Sequence, residues 1–421
     1  MSGQVVLSES ADLLADLALI GQGAKAAAVE VDTAEVEAAV LNASVLPSSE
    51  QQDATTSTAL TSSSEQQPEA ATAKAEQQLT PEQDAAAAEC ADNFVELYEQ
   101  AFLSRAVQQL AAACSAAGIP ESAVAAKLHT RGMNLQQLQA RAAEVQNGIA
   151  ECASDEGWRL VQDDGKLRLL YRHAAGSTVH CFKGSCLLPA PIYQPLSMAK
   201  EFDLVSSWNS YITNSSILRT YCDVDMLVYA SVWLPWPFAE RDVLISAVAD
   251  DQLREKGVVA ISFASPRDAD APPGDELPAG ADKRVHIHFM PGSCMTMVPV
   301  AAAAAAPAAA APAASAAVTV AADGSTVQAA CAGAGAGDGE QQQTQVCVVA
   351  NIETESHVPE AIISFVLKVF APFFYSTVLK VLASAFKPGD PLPQRIAGHH
   401  QLYDMIMKRC ADFLAGHPDY A

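Results

Sequence analysis

The chain has 421 residues, 49 Asp and Glu against 25 Lys and Arg, and a formal net charge of −24. That balance excludes a nucleic-acid reader, because neutralising phosphates takes a surplus of Lys and Arg on one face. Half of the residues are hydrophobic but only 6% are aromatic; long alanine tracts, which bury little area per residue, make up the difference, so the folded part is smaller than the length suggests.

Residues 1–87 form an acidic low-complexity leader with 14 acidic and 2 basic side chains. Gly21 and Gly23 interrupt its weak Ala and Leu spacing, and the Ser, Thr, Gln and Glu after them have almost nothing to bury. A mostly disordered segment is predicted, and its pattern names no protein partner. The N-terminus has no basic stretch before its apolar run and no Arg before Arg105, which predicts neither a secretory signal nor a transit peptide. Ten cysteines stand without a CxxC pair. Reduced thiols in a cytoplasmic protein are the expectation, with no metal site and no cofactor.

Structure is expected to begin near Ala85, with residues 88–156 forming a helical N-terminal part. Phe94, Leu97, Tyr98, Ala101, Phe102, Arg105 and Val107 follow helical spacing and predict one amphipathic helix running to Ala117, stopped by Gly118 and Pro120. A second helix is predicted from Glu121 to Ile149. The period then changes. Two β-prone runs flank Asp164-Gly165 between Trp158 and Arg172, a hairpin signal, and a third strand fits Ser177 to Leu188. A helical stretch spans Ile192 to Tyr211. Strands are predicted at Ile217–Val224, Met226–Trp233, Asp242–Ala249, Val258–Ala264, Val285–Val298 and Val346–Glu353, with insertions at 266–282 and 299–345. The second insertion is rich in Ala, Pro, Gly and Gln and reads as surface loop between paired strands. Val358 to Phe386 is the most apolar segment. On a helical wheel Ile362, Val366, Val369 and Phe373 share one stripe, and Ser364, Lys368 and Tyr375 the opposite one. Lys368 and Lys380 make a bilayer span costly and favour a lid exposed to water, with a kink at Pro372. Residues 387–421 read as a tail in which Leu402, Met405, Ile406 and Cys410 predict a short helix.

This order, helix, three strands, helix, six strands, long helix, suits an α+β fold in which an antiparallel sheet wraps a terminal helix. Two stretches, YCDVDMLVYASVWLPWPFAERD ending at Asp242 and HVPEAIISFVLKVFAPFFYSTVLKVL beginning at His357, resemble the START family, the steroidogenic acute regulatory protein-related lipid-transfer domains of helix-grip fold. There a strand pair leads through a Trp- and Pro-bearing turn to an Arg-Asp pair, matched by Arg241-Asp242, and the last strand leads through a Pro into a long apolar helix. The resemblance places the domain at 157–386 and implies a lipid or sterol-like ligand held in an internal cavity, for transfer or sensing. It also implies ligand contact by Arg241, Asp242, Trp236, Phe238 and the stripe Ile362, Val366, Val369 and Phe373. Arg241 or Asp242 orients a polar head in an apolar pocket, or else the two fix the strand and its loop. Trp233, Trp236 and Phe238 either pack the turn or touch a membrane transiently.

Motifs for catalysis are missing: the sequence holds no G-x-S-x-G, P-loop, G-x-G-x-x-G or H-E-x-x-H. His286 and His288, two apart on a strand, share a face but lack a third ligand, and Asp223 and Asp225 are expected to face solvent. A binder rather than an enzyme is expected. The alternatives are a cyclase-like enzyme on the same scaffold and an interaction protein whose cavity its own side chains fill.

Overall fold

A computed structural model describes residues 79–233, 240–266, 272, 276–300, 342–354, 363 and 366–416. The expectations for the leader, for part of the first insertion and most of the second, and for the Trp236 turn lie outside them. Contacts divide the chain into two units, Met1–Ala86 and Ala87–Ala421. In the first unit the described residues open helix α1 (Pro81–Glu99) with a reciprocal cap. The Gln83 N–H donates to the Thr80 hydroxyl and the Thr80 N–H to the Gln83 side chain, which satisfies two donors that a helix start leaves over.

In the second unit the predicted single helix to Ala117 is two. Between α1 and α2 (Leu103–Ala117), Ala101 sits at φ 67°, a left-handed conformation that stops a helix. Its carbonyl accepts the Asp251 N–H at 2.6 Å, and the Gln100 carbonyl accepts from Arg409 at 2.9 Å. The predicted helix 121–149 also divides, into α3 (Glu121–His129) and α4 (Leu135–Ala153). Gly132 turns the chain at φ 77°, and Asn134 caps α4 by accepting the Gln137 N–H.

The hairpin β1 (Arg159–Asp163) and β2 (Leu167–His173) turns on Gly165 as expected, the Asp164 carboxylate accepting the Lys166 and Leu167 N–H groups. After β3 (Val179–Leu188) come α5 (Tyr193–Lys200) and the single turn α6 (Val205–Trp208). Next in the chain are β4 (Ile212–Cys222), β5 (Asp225–Val232), β6 (Arg241–Gln252), the turn α7 (Leu253–Lys256), β7 (Val258–Ala264), β8 (Val285–Phe289), β9 (Cys294–Val300) and β10 (Gln343–Glu353). The strand predicted over Val285–Val298 is thus two, broken at Pro291-Gly292, where Gly292 adopts φ 85°. The sheet order is β1-β2-β3-β10-β9-β7-β6-β5-β4, with β8 paired to β10 and to β6. All pairs are antiparallel except β6 with β8, which run parallel.

Uninterrupted register from β3 across β10, β9 and β7 to β6 sorts side chains strictly by alternation. Cys186, Leu188, Val346, Val348, Met295, Met297, Val259 and Ile261 pack one face. Lys183, Cys347, Cys294 and Ala260 occupy the other, on which α4 lies. A Cβ added at Gly148 of α4 would stand 2.3 Å from the Cβ of Cys294, so only glycine allows this approach.

The C-terminal part closes the first face. A π-helical turn, Val366–Phe370, leads into α8 (Ala371–Ser384), α9 (Pro391–Gly398) and α10 (His400–Leu414). The segment expected to be a tail therefore belongs to the core: Tyr403, Ile406 and Cys410 of α10 are buried with Leu188, Val259 and Met297. The fold is α+β, a large antiparallel sheet with C-terminal helices on its inner face and N-terminal helices on its outer one.

Candidate functional site

Inside the inner face a cavity of about 60 Å³ is bordered by Leu196 and Lys200 of α5, Met226, Ala247, Ala249, Ile261, and Leu402 and Ile406 of α10, with Asp223 at its rim. Pockets that enclose a drug-sized ligand run to about 300–1,000 Å³. A bulky ligand enters only if helices on this face move.

The π turn sets which residues of the terminal helix face inward. Pro372 has no N–H to return to the Lys368 carbonyl, and the chain widens to i→i+5 bonding just before it. The extra residue in that turn shifts the helical phase, so a wheel drawn straight through 362–375 misplaces the residues beyond the turn. Tyr375, expected on the far stripe, packs with Val378, Leu379 and Leu382 against the inner core. Phe373 is 38% exposed and meets the Tyr211 ring edge-on at 5.1 Å. Val366 is half-buried and Lys368 exposed. Ile362 and the side chain of Val369 lie outside the described residues, as do Trp236 and Phe238. Val366–Ser384, at a mean hydropathy of 1.6, is long and apolar enough to cross a membrane by length and composition.

Arg241 and Asp242 part company. Alternation along β6 puts Arg241 on the inner face with Val243 and Ala247, and Asp242 on the outer. Asp242 is fully buried, accepting from the Tyr229 hydroxyl at 3.0 Å and pairing with Nδ1 of His286. The parallel register of β6 and β8 sets Asp242 opposite His286, a juxtaposition across 44 residues that spacing in the sequence does not reveal. Arg284 joins the same cluster, donating to the Tyr229 hydroxyl at 3.3 Å and to Glu240 at 3.1 Å. Burial, the hydrogen bond to Asp242 and its charge push the Tyr229 phenol up to about 12.

Asp225 also departs from expectation. Rather than facing solvent it is 1% exposed, because β5 places it under the N-terminal helices. There it accepts from the Tyr98 hydroxyl and from both guanidinium NH groups of Arg141. Asp223 alone stays exposed, near His399.

Three aromatics missed as a group lie beside the terminal helix. Tyr211 contacts the rings of Trp233, Phe370 and Phe373, while Trp208 stands 6.4 Å from Phe374. Trp233, Phe373 and Phe374 are 42%, 38% and 40% exposed.

No protein-family model matches the sequence, and no curated protein matches it. Solved structures do. The chain is similar to human STARD10, with a TM-score of 0.41 and 11% identity over 63% of this chain and 86% of that one. Human StAR-related lipid transfer protein 5 gives a TM-score of 0.42 and 11% identity over 59% of this chain and 97% of that one. The Zhui aromatase/cyclase from Streptomyces sp. R1128 gives 0.27 and 10% over 50% and 99%.

Proposed function

We propose that this protein buries a lipid or comparably bulky apolar molecule between the inner face of its sheet and its C-terminal helices. The observation that carries the reading is the construction of that face: eight apolar side chains from four strands, covered by helices that come after the last strand in sequence, so the cover can leave without breaking a sheet hydrogen bond. Burial of an acyl chain or sterol there supplies affinity at about 25 cal/mol per Å². Arg241, on the same face by alternation, is the group assigned to a polar head, with Val366 and Phe373 near the entrance. Trp236, Phe238, Ile362 and Val369 keep their proposed contact role from the sequence. The exposed Trp233, Phe373 and Phe374 fit transient contact with a membrane surface during exchange, since Trp and Phe partition to such interfaces, and a cytoplasmic site of action goes with that role. Asp242 and His286, an acid–base pair, stand on the opposite face, which favours a binder over a cyclase-like enzyme.

The smallness of the cavity favours a second reading, an interaction protein whose interior is permanently filled. Organic extraction of the purified protein followed by mass spectrometry, with titration of a fluorescent acyl or sterol probe, separates the two. A co-purifying lipid, or saturable uptake at one probe per chain, supports burial. An empty extract together with no uptake sinks it and leaves the filled interior.

A further inference from the structure

On the outer face, under the last turn of α4, three thiols meet. Cys152 comes from α4, Cys294 from β9 and Cys347 from β10. The Cys152 sulfur lies 3.9 Å from the carbonyl oxygens of both Cys294 and Cys347, and the Cys347 sulfur lies 3.7 Å from the Cys152 carbonyl. The register of β9 with β10 pairs Cys347 with Thr296 and Cys294 with Val349, so both strand thiols point to the same side as the helix. Beside them Lys183, 3% exposed, holds its ammonium against the Glu151 and Ser154 carbonyls at 3.0 Å each and against Asp155 at 2.7 Å. It thereby offsets the negative end of the helix dipole where the thiol sits. The neighbouring thiols of Cys294 and Cys347 lower the Cys152 thiol against the opposing effect of burial, with Lys183 adding to the lowering. The two strand thiols shift upward in exchange. Cys152 is half-buried, whereas Cys294 and Cys347 are buried, so a small oxidant arriving from solvent meets Cys152 first.

We propose that Cys152 is a peroxide-reactive thiol that closes a disulfide with Cys347. In the first step the Cys152 thiolate attacks one oxygen of a hydroperoxide. The O–O bond breaks, the departing oxygen takes a proton to leave as an alcohol or water, and Cys152 becomes a sulfenic acid. Cys347 then loses its proton, its sulfur attacks the Cys152 sulfur, the S–O bond breaks and water leaves. Two thiols give two electrons to one hydroperoxide. Cys347 is the resolving partner because its contacts with Cys152 run in both directions, sulfur to carbonyl each way. The product ties the helix layer to β10, whose neighbouring residues Val346 and Val348 pack the inner face.

The test oxidises the full-length protein with one equivalent of hydrogen peroxide, blocks remaining thiols by alkylation after unfolding, and maps peptides by mass spectrometry. The expected result is a linked pair of peptides carrying Cys152 and Cys347, absent from Cys152→Ser, with Cys114 and Cys410 still alkylated. In Cys347→Ser a sulfenic acid on Cys152 should be trapped by dimedone, a result that does not require Cys152→Ser to fold. Oxidation falling first on another cysteine, over-oxidation of Cys152 with Cys347 still free, or a wild-type protein that keeps both thiols overturns the proposal.

Discussion

Asp225 is a carboxylate taken out of water and kept there by three donors, from Tyr98 and from the two NH groups of Arg141. Removing it by Asp225→Ala leaves a guanidinium and a phenol facing a site that water does not reach, and breaking such a pair costs about 3–5 kcal/mol. Urea denaturation should show the midpoint fall with the slope unchanged. Tyr229 gives a pH-dependent counterpart. Its phenol is raised from 10.0 to about 12 in the fold, so the fold favours the neutral form. The stability it contributes is fully present below pH 10 and declines as the pH rises towards 12. In Tyr229→Phe, therefore, the difference in stability from wild type should be flat below pH 10 and shrink above it; a difference that stays constant up to pH 12 would remove this account. At this scale the sequence revealed chemistry but not partners. Arg241-Asp242 stood out, yet which faced inward depended on strand alternation, and His286 reached Asp242 only through a parallel pairing. Asp225 read as a surface residue because nothing local shows that α4 lies over it.

Elements followed period closely and failed at their joints. The hairpin at Asp164-Gly165 and the β-prone runs of β2, β5 and β6 were legible because turn chemistry and enrichment in β-branched, aromatic and aliphatic residues are local. The break at Ala101 was not, since an alanine in left-handed conformation is held by contacts from Asp251 and Arg409, far off in sequence. Nor was the phase shift at the π turn, although Pro372 marked the place. One joint supports a direct prediction. β9 and β10 pair from Val300 opposite Gln343, so the two ends of the second insertion already stand side by side. Replacing residues 301–341 with a short Gly-Ser linker should keep the melting temperature within a few degrees and leave probe uptake intact, because loop-closure entropy changes by only about 0.6 kcal/mol per doubling of length. Insoluble expression of the shortened chain would show that the insertion contributes to the fold.

For the whole molecule the decisive relation is between the sheet and the helices C-terminal to its last strand. Composition located the apolar terminal segment, and Leu402, Ile406 and Cys410 marked a helix beyond it. That this second helix fills the inner face comes from geometry that no local pattern carries. If the ligand and α10 compete for one surface, the binding-competent state is the fraction of molecules with the helices displaced, and apparent affinity is reduced by that fraction. Weakening the closed state should then tighten binding while it destabilises the protein. Ile406 is 2% exposed and borders the cavity, so Ile406→Ala should cost about 2–5 kcal/mol of stability. Each ~1.4 kcal/mol of that cost falling on closure alone should raise probe affinity up to about tenfold. Leu128→Ala is the control: Leu128 is fully buried in α3, among the N-terminal helices, and its loss should destabilise without tightening binding. Titrating a long-chain acyl probe into wild type and both variants below their melting transitions reads the outcome. Tighter binding in Ile406→Ala alone is expected. Equal tightening in both variants would indicate general loosening, and weaker binding in Ile406→Ala would mean that the ligand rests on Ile406 rather than displacing α10.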